Sequence, residues 1–124
     1  MKEISIEKKF DLYLDTLEKC GIELLNLSDE MIGYYIFEEF EVGAISFLYK
    51  DNLLSLADEG LIDNEIYFKS QILRKKFMAL QGTDLWNIES VKKADKWKEI
   101  LQLSDKIKEL IHQKWSDEEL KYLR

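Results

Sequence analysis

Glu109 and His112 are the pair of residues whose types and spacing come nearest to a metal site. A carboxylate and an imidazole three residues apart lie on one face of a helix, as in bundles that hold two metal ions between their helices. Such bundles need two of these pairs, and His112 is the only histidine among the 124 residues. The sequence therefore predicts no metal site, and His112 is interpreted as a polar residue near the end of its helix.

Nucleophilic catalysis is not indicated either. Cys20, the only cysteine, falls on the apolar stripe of the first predicted helix, where a buried thiol behaves as a small hydrophobic group. No serine stands in a Gly-x-Ser-x-Gly context, and the five glycines are too scattered to form a phosphate-binding loop. We therefore expect no cofactor. A single cysteine also excludes an intramolecular disulfide, which fits a reducing cytoplasm.

Paired carboxylates are the one arrangement compatible with an enzyme. Glu38, Glu39 and Glu41 stand beside Phe37 and Phe40, and two shielded acids alone can perform general acid and base chemistry. Adjacent acids on a helix point apart, however, so these side chains are more simply solvated. We predict that the chain is not an enzyme, and a small hydrolase that uses paired acids is kept as a third hypothesis.

The carboxylates are concentrated in one stretch of the chain. Between Cys20 and Phe68 there are eleven Asp and Glu residues and one cation, Lys50, whereas the other residues hold fourteen acids and seventeen bases. A charge confined to one face steers a basic partner, and duplex nucleic acid would instead require clustered Lys and Arg. The stretch predicts a surface that binds a basic protein and no nucleic acid.

The predicted partner-binding residues are Asp29, Glu30, Glu38, Glu39, Glu41, Asp51, Asp58 and Glu59. Tyr34, Phe37 and Phe40 are candidate apolar anchors, with Phe40 better explained as a core residue.

Two basic patches in the second half have several interpretations. They consist of residues 74–76 and of Lys92, Lys93, Lys96 and Lys98. Interleaved with Phe77 and Trp97, they could bind RNA, although long Lys stems commonly cover apolar helix surface. A third possibility is that these cations close onto the acidic stretch within the fold, which would shrink the exposed acidic field.

The apolar pattern predicts that the elements carrying these residues are mostly helices. The chain has no proline, and apolar residues recur at helical spacing over residues 5–20 and 63–81 and again after Asp95. Ser28 and Asp63 are expected N-caps, and either Asn87 or Thr83 is expected to cap a short helix. Ser116 and Glu119 form a capping box, and Gly21 is expected to close the first helix. Trp97 falls on a core stripe, while Trp86 and Trp115 are expected to fill gaps between helices.

The fold class that follows is all-α, as an irregular bundle of five to seven helices in a single domain over residues 1–124. The central segment leaves an alternative open, because Tyr34, Tyr35, Ile36 and Phe37 are residues that favour sheets. That alternative is an α+β fold with one or two short strands within residues 31–49. Asp51 is expected to cap a short helix that ends at Gly60.

The beginning of the chain and its hydropathy predict its location. The first ten residues lack the apolar stretch of a signal peptide, and acids interrupt every hydrophobic segment before it reaches membrane-spanning length. We expect a cytoplasmic protein that does not interact with membranes.

Several short strings of residues together suggest a family. They are Phe37-Glu38-Glu39-Phe40, Ser46-Phe47-Leu48, Asn52-Leu53-Leu54, Gly60-Leu61-Ile62-Asp63, Leu73-Arg74, Asp84-Leu85-Trp86, Trp97-Lys98-Glu99-Ile100 and Leu103-Ser104-Asp105-Lys106-Ile107. With these strings, residues 30 to 112 resemble bacterial immunity proteins that neutralise polymorphic toxins, including contact-dependent growth inhibition toxins. The resemblance implies an all-helical cytoplasmic inhibitor whose partner is a cognate toxin domain, often a basic nuclease.

The first hypothesis is accordingly an immunity protein whose acidic surface binds a basic, nuclease-type toxin domain. The second is a helical regulatory or adaptor module that binds a protein other than a toxin. One version of this hypothesis is that the chain forms a homodimer through an apolar helix face. We expect the chain to be either a monomer or a homodimer.

Overall fold

The computed structural model describes residues 4–124, and in this part of the chain every regular element is a helix. The α-helices are α1 (Ile6–Glu18), α2 (Asp29–Gly33), α3 (Glu41–Ser46), α4 (Lys50–Asp58), α5 (Asn64–Ala79), α6 (Ile88–Lys93), α7 (Asp95–Lys114) and α8 (Asp117–Leu123). A 3-10 helix spans Ile22–Asn26, and a π-helix spans Tyr34–Phe40. The all-α prediction is confirmed. The alternative with short strands in residues 31–49 is wrong, because the regular structure of that segment is helical.

Helix α2, the π-helix and α3 form one continuous helix, called helix 29–46 below. The residues at the two junctions keep right-handed helical dihedral angles, with φ −60° and ψ −43° at Gly33 and φ −67° and ψ −38° at Phe40. Counted in this way, and without the 3-10 turn, the described residues form seven helices. This number lies within the predicted five to seven.

Side chains near the helix starts fix most of the helix boundaries. Ser28, Asp63 and Asn87 each accept a hydrogen bond from the backbone N–H three residues later, which confirms them as N-caps. The capping box is also confirmed: Glu119 N–H donates to the Ser116 hydroxyl, and Ser116 N–H donates to the Glu119 carboxylate. These bonds hold the pKa of Glu119 below its usual value.

Two boundary predictions were wrong. Helix α1 ends at Glu18, and Gly21 has φ 169°, which is extended backbone and not the left-handed conformation. The carbonyl of Cys20 instead accepts hydrogen bonds from Ser104 Oγ at 2.8 Å and Lys108 Nζ at 2.7 Å. Side chains of α7 therefore supply the donors for this carbonyl, which follows the end of α1. Asp51 does not cap α4, because Tyr49 occupies the N-cap position and Asp51 lies in the first turn.

The core is built around α5 and α7, which pack along each other. Phe77 of α5 and Trp97 of α7 are fully buried, with ring centroids 5.8 Å apart, and Phe40 and Trp86 pack against Phe77 at 4.8 and 5.1 Å. Trp97 Nε1 donates to the Leu85 carbonyl at 2.6 Å, so its polar edge is satisfied. The predicted core position of Trp97 is confirmed.

Gly43 allows α3 to approach α1 closely. It is buried, and a Cβ atom at this position would overlap the side chain of Thr16. Thr16 is itself buried and fixed, because its hydroxyl donates to the Leu12 carbonyl at 2.8 Å. The contact sets the position of the second half of helix 29–46 on the core.

Replacing Gly43 by alanine is therefore expected to lower the free energy of unfolding by about 1–3 kcal/mol, because the added methyl group overpacks the contact with Thr16. Urea denaturation measures the effect. Val42→Ala is the matched control: it places alanine at the neighbouring position, where the native side chain is 62% exposed, and is expected to change stability by less than about 0.5 kcal/mol. Equal effects of the two substitutions would contradict the proposed close approach.

Candidate binding surface

Helix 29–46 has a buried and an exposed line of side chains, each with a spacing of four residues. Ile32, Ile36, Phe40 and Ala44 are all fully buried. The residues two positions earlier, Glu30, Tyr34, Glu38 and Val42, are all exposed. Residues two apart on a helix point in nearly opposite directions. One side of the helix therefore faces the core, and the other faces solvent along its whole length.

The π-helix explains why a four-residue spacing keeps each line straight. In an α-helix, each step of four residues turns about 40° beyond a full circle, so a line with this spacing drifts around the helix. The hydrogen bonds of a π-helix run from i to i+5, which widens the turn and reduces the rotation per residue. The π-helical segment thus counteracts the drift. π-Helical turns occur frequently at functional sites.

The exposed side of this helix combines carboxylates with large apolar groups. We call it the outer stripe and define it as Glu30, Met31, Tyr34, Glu38, Val42 and Ile45, all of which are exposed. Tyr34 is 44% exposed, and its hydroxyl donates to the Glu39 carboxylate. This bond holds the Tyr34 hydroxyl against Glu39 and raises the pKa of Tyr34.

The eight predicted partner-binding acids lie in three places. Five are on helix 29–46, Asp51 is at the start of α4, and Asp58 and Glu59 are at its end. The structure therefore brings five of them onto one element and separates the other three from it. The members are Asp29, Glu30, Glu38, Glu39 and Glu41 on helix 29–46, Asp51 and Asp58 on α4, and Glu59 as the C-cap residue of α4.

The five acids on helix 29–46 differ in their surroundings. Glu41 is half-buried and accepts a hydrogen bond from Gln81 Nε2 at 2.9 Å. Asp29 is exposed but pairs with Lys92 Nζ at 3.0 Å. Glu30 and Glu38 are exposed and have no ion-pair partner among residues 4–124. These two carboxylates are thus the freest of the five acids on helix 29–46, within the described residues.

The basic patches neutralise little of this acidic field. Of the seven cations in the two patches, Lys92 is the only one within ion-pair distance of an acid between Cys20 and Phe68, as far as the described residues show. Lys76 pairs with Glu99 and Lys93 pairs with Glu89, both within the second half. Closure of the cations onto the acidic stretch, one of the three interpretations of these patches, is therefore confined to one ion pair among the described residues.

The three candidate anchors differ in how far they are buried. Phe40 is fully buried, as the sequence favoured. Phe37 is half-buried and packs against Trp86 and Trp97, with ring centroids 4.9 and 5.8 Å apart, so it belongs to the edge of the core. Tyr34 alone among the three is exposed. Val42 and Ile45 of the outer stripe were not predicted as binding residues, although the four-residue spacing of the apolar positions was a signal for their exposure.

The structure places Glu109, His112 and Cys20 in different surroundings. Glu109 accepts from Gln113, whereas His112 lies 3.4 Å from Asp117 and its Nδ1 bonds the Lys108 carbonyl. Burial raises the pKa of the Cys20 thiol to about 12, against a lowering hydrogen bond from Ser104, so the thiolate is disfavoured at neutral pH. Within residues 4–124, no cluster of three or more His, Cys, Asp or Glu residues is arranged to hold a metal ion.

Two further findings bear on the kind of protein this is. None of the described helices is long and apolar enough to cross a membrane. In comparisons with protein-family models, curated proteins and solved structures, nothing matches the chain.

Proposed function

We propose that this protein is an immunity protein that binds and neutralises a cognate, basic, nuclease-type toxin domain through its acidic surface, and that it is not an enzyme. The observation that carries the proposal is the outer stripe, where carboxylates without an ion-pair partner among residues 4–124 alternate with exposed apolar side chains on one helix. Acids that merely conferred solubility would not need apolar neighbours.

The composition of the stripe is suited to binding a protein. Stable interfaces combine apolar or aromatic contacts at the centre with charged groups at the rim, and aromatic residues are enriched among those that contribute most. Tyr34 lies between Glu30 and Glu38 on the exposed line. We assign Tyr34 the role of central anchor and the two carboxylates the role of charged neighbours.

The proposed mechanism of inhibition is occupation of the toxin's substrate cleft. A nuclease binds nucleic acid through a cationic cleft, because the phosphate backbone dominates the affinity. A helix that presents carboxylates to such a cleft excludes the substrate, and the complementary charge raises the association rate toward about 10⁸–10⁹ M⁻¹s⁻¹ at low salt. Asp51, Asp58 and Glu59, which lie on another helix, would contribute to long-range steering.

The alternative is a helical interaction or regulatory module with no toxin partner. It shares the fold and the exposed stripe, so only the identity of the partner distinguishes the two. If this chain protects no cell from the product of a neighbouring gene, the alternative is preferred.

The proposal is tested by mixing the purified chain with the basic C-terminal domain of an exported protein encoded next to its gene. We expect a one-to-one complex whose association rate falls steeply as salt is added, because charge complementarity speeds the encounter. Surface-immobilised binding measurements over a salt series give the rate. Absence of a complex at low salt would contradict the proposal.

A further inference from the structure

The outer face of α5 has an unusual composition for a surface helix. Phe68 is 57% exposed, and Ile72, one turn later, is 46% exposed, although the opposite side of α5 supplies the fully buried Leu73 and Phe77. A surface helix normally carries polar residues on its solvent side. A helix with apolar residues on both sides is usually covered by other protein or by a partner. The face of α5 at Phe68 and Ile72 therefore has the character of a contact surface.

This face forms one wall of a groove of about 700 Å³, whose other wall is the segment from Leu48 to Lys50. Tyr49, Phe68 and Ile72 supply exposed apolar surface. The charged residues that line the groove are Lys50, Arg74 and Lys75, and no carboxylate of the described chain lines it. The groove is thus basic and apolar in a protein with a formal net charge of −7.

Arg74 joins the groove to the outer stripe. Its Nε donates to the Ala44 carbonyl at 3.0 Å, and its guanidinium lies 5.4 Å from the centroid of the Tyr49 ring. Ala44 directly precedes Ile45, the last residue of the outer stripe. The stripe and the groove therefore border each other at Arg74.

Together, the stripe and the groove form one surface with separated charges. Glu30 and Glu38 give it an acidic end, Lys50 and Lys75 give it a basic end, and apolar side chains run between the two ends. In a two-fold symmetric contact, each residue i that contacts residue j is matched by j contacting i. A surface that is acidic at one end and basic at the other is therefore complementary to a second copy of itself.

We infer that this surface binds a second copy of the chain, forming a two-fold symmetric dimer in which the acidic end of each copy meets the basic end of the other. The inference goes beyond the proposed function and does not depend on it. Because the dimer covers the outer stripe, a toxin domain and a second copy exclude each other.

Two charge-reversal variants test the dimer, with mass measured by light scattering across micromolar to millimolar concentrations at low salt. The first variant is Glu30→Lys with Glu38→Lys, and the second is Lys50→Glu with Lys75→Glu. The wild-type chain is expected to dimerise, and each variant alone is expected to have a dimer dissociation constant raised at least about tenfold, because each pair occurs twice in the symmetric contact.

An equimolar mixture of the two variants provides the decisive result. One variant is basic at both ends and the other is acidic at both ends, so a heterodimer restores both contacts and its formation is expected at wild-type concentrations. Circular dichroism confirms that each variant is folded. A monomeric wild-type chain, variants that dimerise like the wild type, or a mixture that stays monomeric would each overturn the inference.

Discussion

Replacing Glu30 and Glu38 by lysine is expected to slow association with the basic toxin domain about tenfold or more at low salt, and to flatten the salt dependence of that rate. Both carboxylates are exposed on the outer stripe and without ion-pair partners among the described residues, so their reversal changes the field that the toxin meets. Stopped-flow or surface-immobilised binding measurements over a salt series report the effect.

A control with the same total charge distinguishes this local effect from the net charge. Glu89→Lys with Glu109→Lys also exchanges two exposed carboxylates for two ammonium groups, one in the first turn of α6 and one within α7. Glu89, like Glu30, is the second residue of its helix, and Glu109, like Glu38, lies within a longer one. Glu89 and Glu109 each pair with a neighbouring lysine, so circular dichroism checks that the control remains folded. If the control slows association as much as the stripe variant, the acidic field is diffuse and the proposed binding surface is wrong.

Truncating Trp97 to alanine is expected to lower the free energy of unfolding by about 3–5 kcal/mol. The side chain is fully buried against Phe37 and Phe77, and its Nε1 bonds the Leu85 carbonyl at 2.6 Å. The substitution therefore leaves a cavity and also removes the donor from a carbonyl inside the fold. Urea denaturation followed by circular dichroism measures the loss.

Tyr122→Ala is the control for this substitution. Tyr122 lies on α8 and is 93% exposed, so removing its ring takes away a similar volume without opening the core. A change below about 0.5 kcal/mol is expected. If Trp97→Ala were as mild as the control, the aromatic core described above would not be a determinant of stability.

The regular helices were predictable from sequence because their signals are local. Asp63 and Ser116 accept bonds from backbone N–H groups three residues away, and their side chains alone indicate a helix start. Trp97 was predictable as a core residue because α7 follows an ordinary 3.6-residue period. In these segments, propensity, capping and periodicity all agree.

Helix 29–46 was harder to predict because its period departs from that of an α-helix. Tyr34, Tyr35, Ile36 and Phe37 favour strands by residue type, and the packing of Ile36 and Phe40 in the core overrides that preference. The π-helical segment has no local sequence signature comparable to a cap. The four-residue spacing of the apolar positions signals part of the outer stripe, but its continuity along the helix depends on that segment and could be recognised only from the fold.

The end of α1 and the contact of Arg74 with helix 29–46 were missed for a different reason. Ser104 and Lys108 satisfy the Cys20 carbonyl from more than eighty residues away, and Arg74 bonds the Ala44 carbonyl thirty residues away. Such long-range bonds leave no trace in local spacing. The ion pairs of the basic patches could not be predicted from local spacing either, because they depend on how α6 and α7 pack.

The most direct test of the proposed function is protection of growing cells. The basic C-terminal domain encoded next to this chain's gene is expressed alone, with the wild-type chain, and with the Glu30→Lys, Glu38→Lys variant. We expect the domain alone to arrest growth, the wild-type chain to restore it, and the variant to restore it poorly while remaining folded and abundant. Full protection by the variant, or none by the wild-type chain, would contradict the claim that this acidic surface neutralises a toxin.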